Sequence, residues 1–424
     1  MDVRDFNAIG NASRWAGGER LFGIWRRDRR NHLYVLGKTG SGKTTLLRNL
    51  ILQDIVNGHG VGVIDPHGDL ARELLDLIPS RRTDDVVYFD PGDTEFPIGF
   101  NVFFNVPKDR RHLVASGLVS SFKSIWRDSW GARMEYILYA ATAALLDCPN
   151  SSLLGLQRML ADTRYRAWVV KQVQDPLVRA FWTDEFAHYD PKFLREAIAP
   201  IQNKVGQFLM SPPIRNIVGQ VRSTIDPRFM MDDGRIFIAN LSKAKLGEEK
   251  ANLLGSMLAT QFQLAALSRA DVPEKERRDF FFFIDEFHNF TTDSFAGILA
   301  EARKYRLCLT LSHQYTDQLA EDVRSAVFGN VGTIIAFPVG YVDAEILEKE
   351  FSHAFNASEF LDLNKYEALV KMAADGRSSY LRAKTLPPIH NWCGRRENIM
   401  RRSREKYATP RAIVEDKIKR WMKR

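Results

Sequence analysis

The chain has 424 residues, of which 45% are hydrophobic and 26% charged, a balance typical of a folded protein. Its three cysteines, Cys148, Cys308 and Cys393, are far apart in the sequence, which argues against a disulfide framework and against a zinc site. The best membrane candidate, residues 134–146, is too short to span a bilayer, and no signal peptide is recognisable. We therefore expect a cytoplasmic protein, with peripheral attachment at the inner face of the membrane as the alternative.

The formal net charge of +8 is concentrated at the C-terminus. Residues 395–424 contain 12 basic and 4 acidic side chains, so the rest of the chain is neutral. A basic segment on a neutral body predicts a polyanionic partner, either nucleic acid or a membrane surface. The alternative is a segment whose charge only keeps it soluble.

The first elements in chain order are a strand at 21–25 and a strand at 33–36, which runs into the sequence GKTGSGKT and an apolar helix. This turn matches the phosphate-binding loop, G-x-x-x-x-G-K-[ST]. Its glycines let successive N–H groups point at phosphate oxygens, Lys43 can reach the β- and γ-phosphates, and the Thr44 hydroxyl can ligate Mg²⁺. The predicted nucleotide site consists of Gly37, Lys38, Thr39, Gly40, Ser41, Gly42, Lys43, Thr44 and Thr45.

Strands then alternate with helices, which predicts an α/β fold with a parallel sheet covered on both faces. From about residue 108 to 231 only helical patterns occur, and the α/β pattern resumes at residue 236. The predicted segments are 1–107, the first part of the α/β domain; 108–231, an all-α inserted domain; 232–390, the second part of the α/β domain; and 391–424, a basic C-terminal tail.

The sequence FFFFIDEF at 280–287 predicts a strand buried on both faces that ends in two carboxylates. The end of this strand would place Asp285 below the phosphate-binding loop, where it could hold the water shell of Mg²⁺. Glu286 would then be placed to polarise the attacking water as a general base. The alternative is an acidic strand end that only caps a helix.

Two further residues are catalytic candidates. Gln314 follows the strand at 307–312 and could sense the γ-phosphate or the lytic water, whereas the alternative is a solvated loop glutamine. Arg303 lies at the edge of the apolar stripe of the helix at 295–305. It could therefore project across a subunit boundary as an arginine finger, and its alternative is a surface ion pair.

The nine histidines contain no H-E-x-x-H motif, so a protein-bound metal centre is not expected. His67, His288 and His313 lie at strand ends near the predicted site, and we expect packing or hydrogen-bonding roles for them. No [NT]-K-x-D element for reading guanine occurs where a GTPase would have one, which favours ATP as the nucleotide.

The segments GKTGSGKT, VIDPHGD, the all-α insertion, FFFFIDEFHNF, EARKYRLCLTLSHQY and GNVGT follow one another in this order. Together they resemble the FtsK–HerA superfamily of P-loop motor ATPases, and most closely the conjugative coupling proteins with a type IV secretion DNA-binding domain. The resemblance covers residues 24–388. It implies a RecA-like motor domain with an all-α domain, a homo-hexameric ring, and movement of DNA driven by ATP with Mg²⁺. The residues that match the family's catalytic positions are Lys43, Thr44, Asp285, Glu286, Gln314 and Arg303.

The chain departs from this family in two respects. It lacks the N-terminal transmembrane helices of membrane-bound coupling proteins, so a membrane part is expected on another polypeptide or not at all. It also has Pro338 where many relatives have an arginine, which Arg324 or Arg382 would have to replace.

The expected function is that of an ATP-driven DNA translocase, with a secretion-channel or relaxosome-type protein as a further partner. One alternative is a secretion ATPase that powers protein export or assembly without DNA. Another is a nucleotide-gated scaffold with little turnover.

Overall fold

The structure, a computed structural model, describes residues 5–13, 19–293, 295–374 and 377–423. Its strands are β1 (Phe6–Ser13), β2 (Glu19–Trp25), β3 (Leu33–Leu36), β4 (Gly60–Asp65), β5 (Val86–Phe89), β6 (Ile236–Asn240), β7 (Phe280–Ile284), β8 (Leu307–His313), β9 (Thr333–Ala336), β10 (Glu367–Ala374) and β11 (Arg377–Thr385). All of them belong to one sheet, in the order β2-β1-β11-β10-β9-β3-β8-β7-β4-β6-β5.

The α-helices are α1 (Arg26–Arg29), α2 (Lys43–Val56), α3 (Asp69–Leu77), α4 (Arg111–Ile125), α5 (Ala132–Asp147), α6 (Leu154–Ala161), α7 (Thr163–Val170), α8 (Pro176–Ala180), α9 (Pro191–Met210), α10 (Pro212–Val218), α11 (Pro227–Asp233), α12 (Lys243–Leu246), α13 (Glu248–Ser268), α14 (Phe295–Glu301), α15 (Glu321–Asn330), α16 (Tyr341–Glu350), α17 (Ala357–Leu361), α18 (Arg396–Tyr407) and α19 (Arg411–Met422). In the described ranges, no helix has the length and apolar character needed to cross a membrane.

The seven strands from β9 to β5 pair in parallel, and the predicted α/β fold is confirmed. Four antiparallel strands, β10, β11, β1 and β2, extend this sheet beyond β9. The sequence analysis missed β1 and β10. The segment of β1 is rich in polar residues, and EALVKMAA in β10 consists mostly of residues that favour helices, so only pairing with neighbouring strands makes them extended.

Strand β7 lies in the centre of the sheet, as its five apolar residues predicted, and all five are buried. Its bulky side chains fit because the neighbouring strand β4 contains glycines. In the parallel register Gly62 pairs with Phe282, and a Cβ at Gly62 would lie 2.5 Å from the Phe282 ring. This close packing fixes the carboxyl ends of β4 and β7 beside each other.

The chain forms two compact units. The first unit, which contains the whole sheet, consists of Met1–Phe89, Pro227–Leu241 and Ala265–Arg402. The second unit consists of Asp90–Asp226, Ser242–Leu264 and Ser403–Arg424. Its described residues are helical or irregular, apart from one β-bridge between Ile98 and Ala408. The division differs from the segments drawn on the sequence, because the helical unit begins at residue 90 and also includes most of α13 and the C-terminal helix.

The basic C-terminal segment is folded rather than an extended tail. Within the second unit, Arg404 Nε lies 2.7 Å from Asp93 Oδ2, so part of the basic charge is neutralised locally. The Trp421 ring of α19 packs edge-on against Tyr165, and the Arg158 guanidinium lies over both rings. These aromatic contacts explain why a segment so rich in charge is held against the helical unit.

Candidate functional site

The phosphate-binding sequence forms the loop between β3 and α2. Gly40 (φ 77°) and Gly42 (φ 123°) adopt angles that side chains disfavour. A Cβ at Gly42 would also lie 2.8 Å from the Tyr366 ring, so the position requires glycine. No side chain of the described residues caps α2 through Gly42, which leaves the N–H groups of the first helical turn available to an anion.

The nine predicted loop residues differ in exposure. Lys38, Thr39, Gly40 and Thr44 are exposed, Gly42 and Thr45 are half-buried, and Gly37, Ser41 and Lys43 are buried. The Ser41 hydroxyl oxygen is buried and has no hydrogen-bond partner among the described residues. Open backbone on the outer side and a buried hydroxyl without a partner are features of a cradle that fits phosphate oxygens.

The Lys43 ammonium group is folded back under the loop. Its Nζ donates to the carbonyl oxygens of Gly37 (2.5 Å) and Lys38 (3.1 Å). Burial lowers the pKa of Lys43, while the negative charges of Glu286 and Asp285 act in the opposite direction. The lysine therefore lies between the loop and two carboxylates.

The loop is supported from β9 and from the residues before β10. The Lys38 N–H donates to the Pro338 carbonyl at 2.9 Å, and the Tyr366 N–H donates to the Ser41 carbonyl at 2.9 Å. Pro338, where the sequence resemblance led us to expect an arginine, thus holds the loop through its main chain. The two arginines considered as substitutes each have an ion-pair partner outside the loop: Arg324 with Asp317, and Arg382 with Glu367.

Two buried carboxylates lie side by side at the ends of β4 and β7. The Asp285 N–H donates to the Ile64 carbonyl at 3.1 Å, which aligns Asp285 with Asp65. Asp65 accepts the backbone N–H of His67 in the following turn and that of Ala71 in the first turn of α3, and Asp285 accepts the Ser312 hydroxyl. Burial, with the charges of Asp65 and Glu286, raises the pKa of Asp285 to about 6 against the lowering effects of Ser312 and Lys43.

Glu286 is buried and has a left-handed backbone (φ 46°, ψ 49°). For a residue other than glycine this conformation costs on the order of 1–3 kcal/mol, and such strain is concentrated at functional sites. Gln314 Nε2 donates to Glu286 Oε1 at 3.1 Å, and His288 Nδ1 lies 3.5 Å from Glu286 Oε2. The structure therefore brings Glu286, Gln314, Lys43 and Asp285 together at one edge of the sheet.

The charges of this edge fit a divalent cation with a nucleotide. Asp285 and Glu286 act on the one ammonium group, Lys43, and Asp65 lies beside Asp285, so carboxylates outnumber the ammonium group at this edge. Within the described ranges no three carboxylate, histidine or cysteine side chains are grouped closely enough to bind a metal by themselves. This suits Mg²⁺, which keeps several waters and binds through one or two carboxylates together with substrate phosphates.

Arg303 is not part of this cluster. It is exposed in the short 3₁₀ segment Ala302–Tyr305, which precedes β8, whereas Gln314 directly follows β8. A strand of seven residues is roughly 20 Å long. Arg303 therefore lies at the opposite, amino edge of the sheet, away from the phosphate-binding loop of its own chain.

Sequence reasoning missed several residues of the site. Asp65 ends a predicted strand, and its place beside Asp285 follows from the strand order, which the sequence does not give. Ser312 and Gln318 carry no local signal. The expected hydrogen-bonding roles of His288 and His313 are confirmed, because both rings bond to the Gln318 amide.

Two arginines at the end of α1, Arg29 and Arg30, have structural roles. Arg29 is fully buried and ion-paired with Asp54, and Arg30 forms two hydrogen bonds with Asp279 at 2.8 and 2.9 Å. These two guanidinium groups therefore form ion pairs within the chain.

The sequence matches a known protein family over most of its length. The sequence matches, over residues 22–340, the family described as the type IV secretion-system coupling protein DNA-binding domain. None of the curated proteins matches it.

Solved structures of two proteins are similar in fold. The unbound bacterial conjugative coupling protein TrwB has a TM-score of 0.63 and 16% identity, with 88% of each chain covered. TrwB in complex with ADP and Mg²⁺ has a TM-score of 0.62 and the same identity, covering 88% of this chain and 90% of that one. VirB4 of Thermoanaerobacter pseudethanolicus has a TM-score of 0.59 and 15% identity, covering 92% and 99%. Because the family match spans most of the sequence, this chain belongs to the type IV secretion-system coupling protein DNA-binding domain family.

Proposed function

We propose that this protein is an ATP-driven DNA translocase of the coupling-protein type, which works as a homo-hexameric ring with ATP and Mg²⁺. The observation that carries the proposal is the strained, buried Glu286 next to Asp285, below a phosphate-binding loop. A protein that only switches on nucleotide binding does not need a general base at this place. The TrwB structures with ADP and Mg²⁺ and with an ATP analogue support the choice of nucleotide.

The loop residues would bind the triphosphate. The N–H groups at the start of α2 and the Lys43 ammonium group would contact its phosphate oxygens, and Ser41 would donate its hydroxyl. Thr44 and Asp285 would hold Mg²⁺, which supplies charge neutralisation on the β- and γ-phosphates when bound.

Glu286 would act on the attacking water. Its carboxylate would accept a proton from that water, and Gln314, hydrogen-bonded to Oε1, would orient both groups. Burial keeps the carboxylate away from bulk water, so its orientation depends on the side chains around it.

Arg303 would complete the site of a neighbouring subunit. Its position at the amino edge supports an action in trans, because the sheet separates it from the loop of its own chain. A ring built from identical head-to-tail interfaces brings unlike surfaces of neighbouring subunits together. An arginine finger supplied in this way accelerates phosphoryl transfer by about 10³–10⁵-fold.

DNA as the moved substrate is supported by the family's description and by the net charge of +8. A translocase contacts mainly backbone phosphates, so its binding is independent of sequence and weakens with salt. A secretion-channel or relaxosome-type protein is proposed as a further partner. An ATPase for protein export would share the whole nucleotide site and differ only in its response to DNA.

The test is ATP hydrolysis by the purified protein with and without single- and double-stranded DNA, over a salt series, with Lys43→Ala as the blank. We expect turnover that depends on Lys43, rises with DNA and loses this stimulation as salt increases. Turnover that depends on Lys43 but is indifferent to DNA would favour the protein-export ATPase. Absence of turnover in the unmodified protein would favour a scaffold.

A further inference from the structure

The Gln318 side chain occupies the centre of a hydrogen-bond network behind Glu286. Its Oε1 accepts the backbone N–H groups of Gln314 (3.1 Å) and Tyr315 (3.2 Å). Because a backbone N–H can only donate, this atom must be the amide oxygen. The orientation of the Gln318 amide is thereby determined, and its nitrogen must point the other way.

The amide nitrogen determines the tautomer of His288. Gln318 Nε2 lies 3.3 Å from His288 Nε2, and since the amide nitrogen can only donate, His288 Nε2 must be an unprotonated acceptor. The proton of the neutral ring is then on Nδ1, which faces Glu286 Oε2 at 3.5 Å. The Gln318 amide thus turns the Nδ1–H side of His288 towards the carboxylate. Glu286 Oε2 has no hydrogen-bond partner among the described residues, which leaves it available to the Nδ1–H group of His288.

The amide oxygen determines the tautomer of His313 by the same reasoning. His313 Nδ1 lies 3.2 Å from Gln318 Oε1 and must donate, so His313 Nε2 accepts the Tyr34 hydroxyl at 2.6 Å. Burial lowers the pKa of His313 to about 3, so the ring is neutral. Tyr34 belongs to β3, the strand that leads into the phosphate-binding loop, so the network is anchored on the central sheet.

Both oxygens of Glu286 are reached from Gln318. One route runs through the Gln314 main chain, whose side chain donates to Oε1, and the other runs through His288, which faces Oε2. We propose that Gln318 is a positioning residue for the catalytic base, and that it holds the Glu286 carboxylate through His288 and Gln314. This inference rests on the proposed ATP hydrolysis, since it assigns Gln318 a role only if Glu286 acts as a base.

The physical need for such a network follows from the chemistry. Proton transfer requires the carboxylate within hydrogen-bond reach of the attacking water, and a displacement of about 1 Å can cost on the order of a hundredfold in rate. Glu286 alone does not have a fixed orientation, because a glutamate side chain rotates about three single bonds. The Gln314 amide donates to Oε1, and the His288 ring lies beside Oε2, so together they restrict that freedom.

The test compares variants that keep the N–H group facing Glu286 with variants that remove it. Gln318→Met keeps the size of the side chain and removes its connections to both oxygens of Glu286. His288→Leu removes only the connection to Oε2. His288→Asn places an amide N–H where the imidazole Nδ1–H is, so it is the rescuing variant. Gln172→Met, at an exposed glutamine, is the matched control.

We expect Gln318→Met and His288→Leu to lower kcat for ATP hydrolysis by about tenfold or more, with KM for ATP unchanged. The melting temperature of Gln318→Met should fall, because two backbone N–H groups and His313 lose their acceptor. His288→Asn should stay within about threefold of the unmodified protein, because the N–H to Glu286 is kept. An unchanged kcat in both Gln318→Met and His288→Leu would overturn the inference. An equal loss of kcat in His288→Asn and His288→Leu would also overturn it.

A second measurement does not depend on turnover. In ¹⁵N-histidine-labelled protein, the His288 signal, identified by its loss in His288→Asn, should show the proton on Nδ1, and this preference should be lost in Gln318→Met. A proton on Nε2 in the unmodified protein would overturn the network even if a variant failed to fold. Failure of the proposed function would appear separately, as no difference in turnover between the unmodified protein and Lys43→Ala.

Discussion

The two edges of the parallel sheet carry opposite chemistry. At the carboxyl edge, Asp285 and Glu286 act on Lys43 below the phosphate-binding loop, and Asp65 lies beside Asp285. At the amino edge of the same strands, a cavity of about 320 Å³ is lined by basic side chains around one buried carboxylate, Asp279. The basic residues of this cavity are Arg26, Arg30, Lys275, Arg277, Arg278 and Arg306.

Several arginines converge on Asp279, the buried carboxylate of this cavity, whose lining also includes Glu276. Asp279 is bonded by Arg30 at 2.8 Å, and Arg26 and Arg306 approach it to 3.5 and 4.0 Å. The amino edge therefore has an excess of positive charge and the carboxyl edge an excess of negative charge. Strand direction explains the separation, because residues before and after a strand lie at opposite ends of it. A site that needs both a carboxylate base and an arginine is therefore formed most simply from the carboxyl edge of one chain and the amino edge of another.

The largest effect is expected for Arg303, an exposed residue at the amino edge. Arg303→Ala should reduce ATP turnover by about 10³–10⁵-fold, because the transition-state charge in the neighbour's site is no longer neutralised. ATP affinity and melting temperature should stay the same, since Arg303 is exposed. Steady-state hydrolysis and nucleotide titration measure these quantities, with Lys304→Ala as control. Turnover equal to that of the control would remove Arg303 from the mechanism.

At the carboxyl edge, Glu286→Gln should lower turnover by about 10²–10⁴-fold, because the amide cannot accept the proton of the attacking water. The size of the side chain is kept, so ATP should still bind and should remain trapped unhydrolysed. Filter binding with labelled ATP, followed by analysis of the bound nucleotide, measures this. Undiminished turnover would show that the base is another group.

The next effect in size is a loss of unfolding free energy when the buried carboxylate of the amino edge is removed. Asp279→Asn leaves the converging guanidinium groups without their carboxylate and should cost about 3 kcal/mol of unfolding free energy. Urea unfolding measures the loss. Asp317→Asn, which breaks only the exposed pair with Arg324, should stay within about 0.5 kcal/mol. Equal stability of the two variants would mean that the arginines do not depend on Asp279.

His32, just before β3, should make stability depend on pH. It is buried, accepts the Leu309 N–H on Nδ1 at 3.1 Å, and contacts the Leu299 carbonyl with Nε2 at 3.2 Å, so the neutral ring fits. Burial lowers the pKa of His32 from 6.5 to about 4. Between these values the unfolded chain binds a proton that the folded chain does not. Stability is therefore complete above pH 6.5 and falls by on the order of 3 kcal/mol as pH drops towards 4.

The variant His32→Asn isolates this contribution. Asparagine tolerates the left-handed backbone of this position (φ 64°) and does not titrate. Urea unfolding at pH 7, 5.5 and 4.5 should show a weaker pH dependence for the variant than for the unmodified protein. Parallel curves for the two proteins would contradict the assignment.

The sequence was sufficient for those parts of the site that local motifs determine. The phosphate-binding loop, Asp285, Glu286 and Gln314 follow buried parallel strands, and carboxyl ends of parallel strands meet at one edge. The pattern could not predict that Asp65 is beside Asp285, because strand order depends on contacts far apart in the chain. The same reason explains the missed strands β1 and β10.

Gln318 shows a different limit of sequence reasoning. It ends the short 3₁₀ helix Thr316–Gln318 after β8, where neither periodicity nor a motif marks it. Its contacts become visible only when two histidines from separate strand ends meet around its amide. The C-terminal segment shows a third limit. Its charge suggested an exposed tail, while the aromatic contact between Trp421 and Tyr165 folds it against the helical unit.

The most direct measurement mixes two inactive subunits. Arg303→Ala keeps its carboxyl edge intact and Glu286→Gln keeps its amino edge intact, so about one quarter of the head-to-tail interfaces in a random equal mixture would contain both groups. The account predicts ATP turnover in this mixture well above that of either variant alone. A mixture of Glu286→Gln with Lys43→Ala should remain inactive, because both changes damage the same edge. No recovery in the first mixture, when its subunits assemble together, would contradict the proposal that the two edges of neighbouring chains form one site.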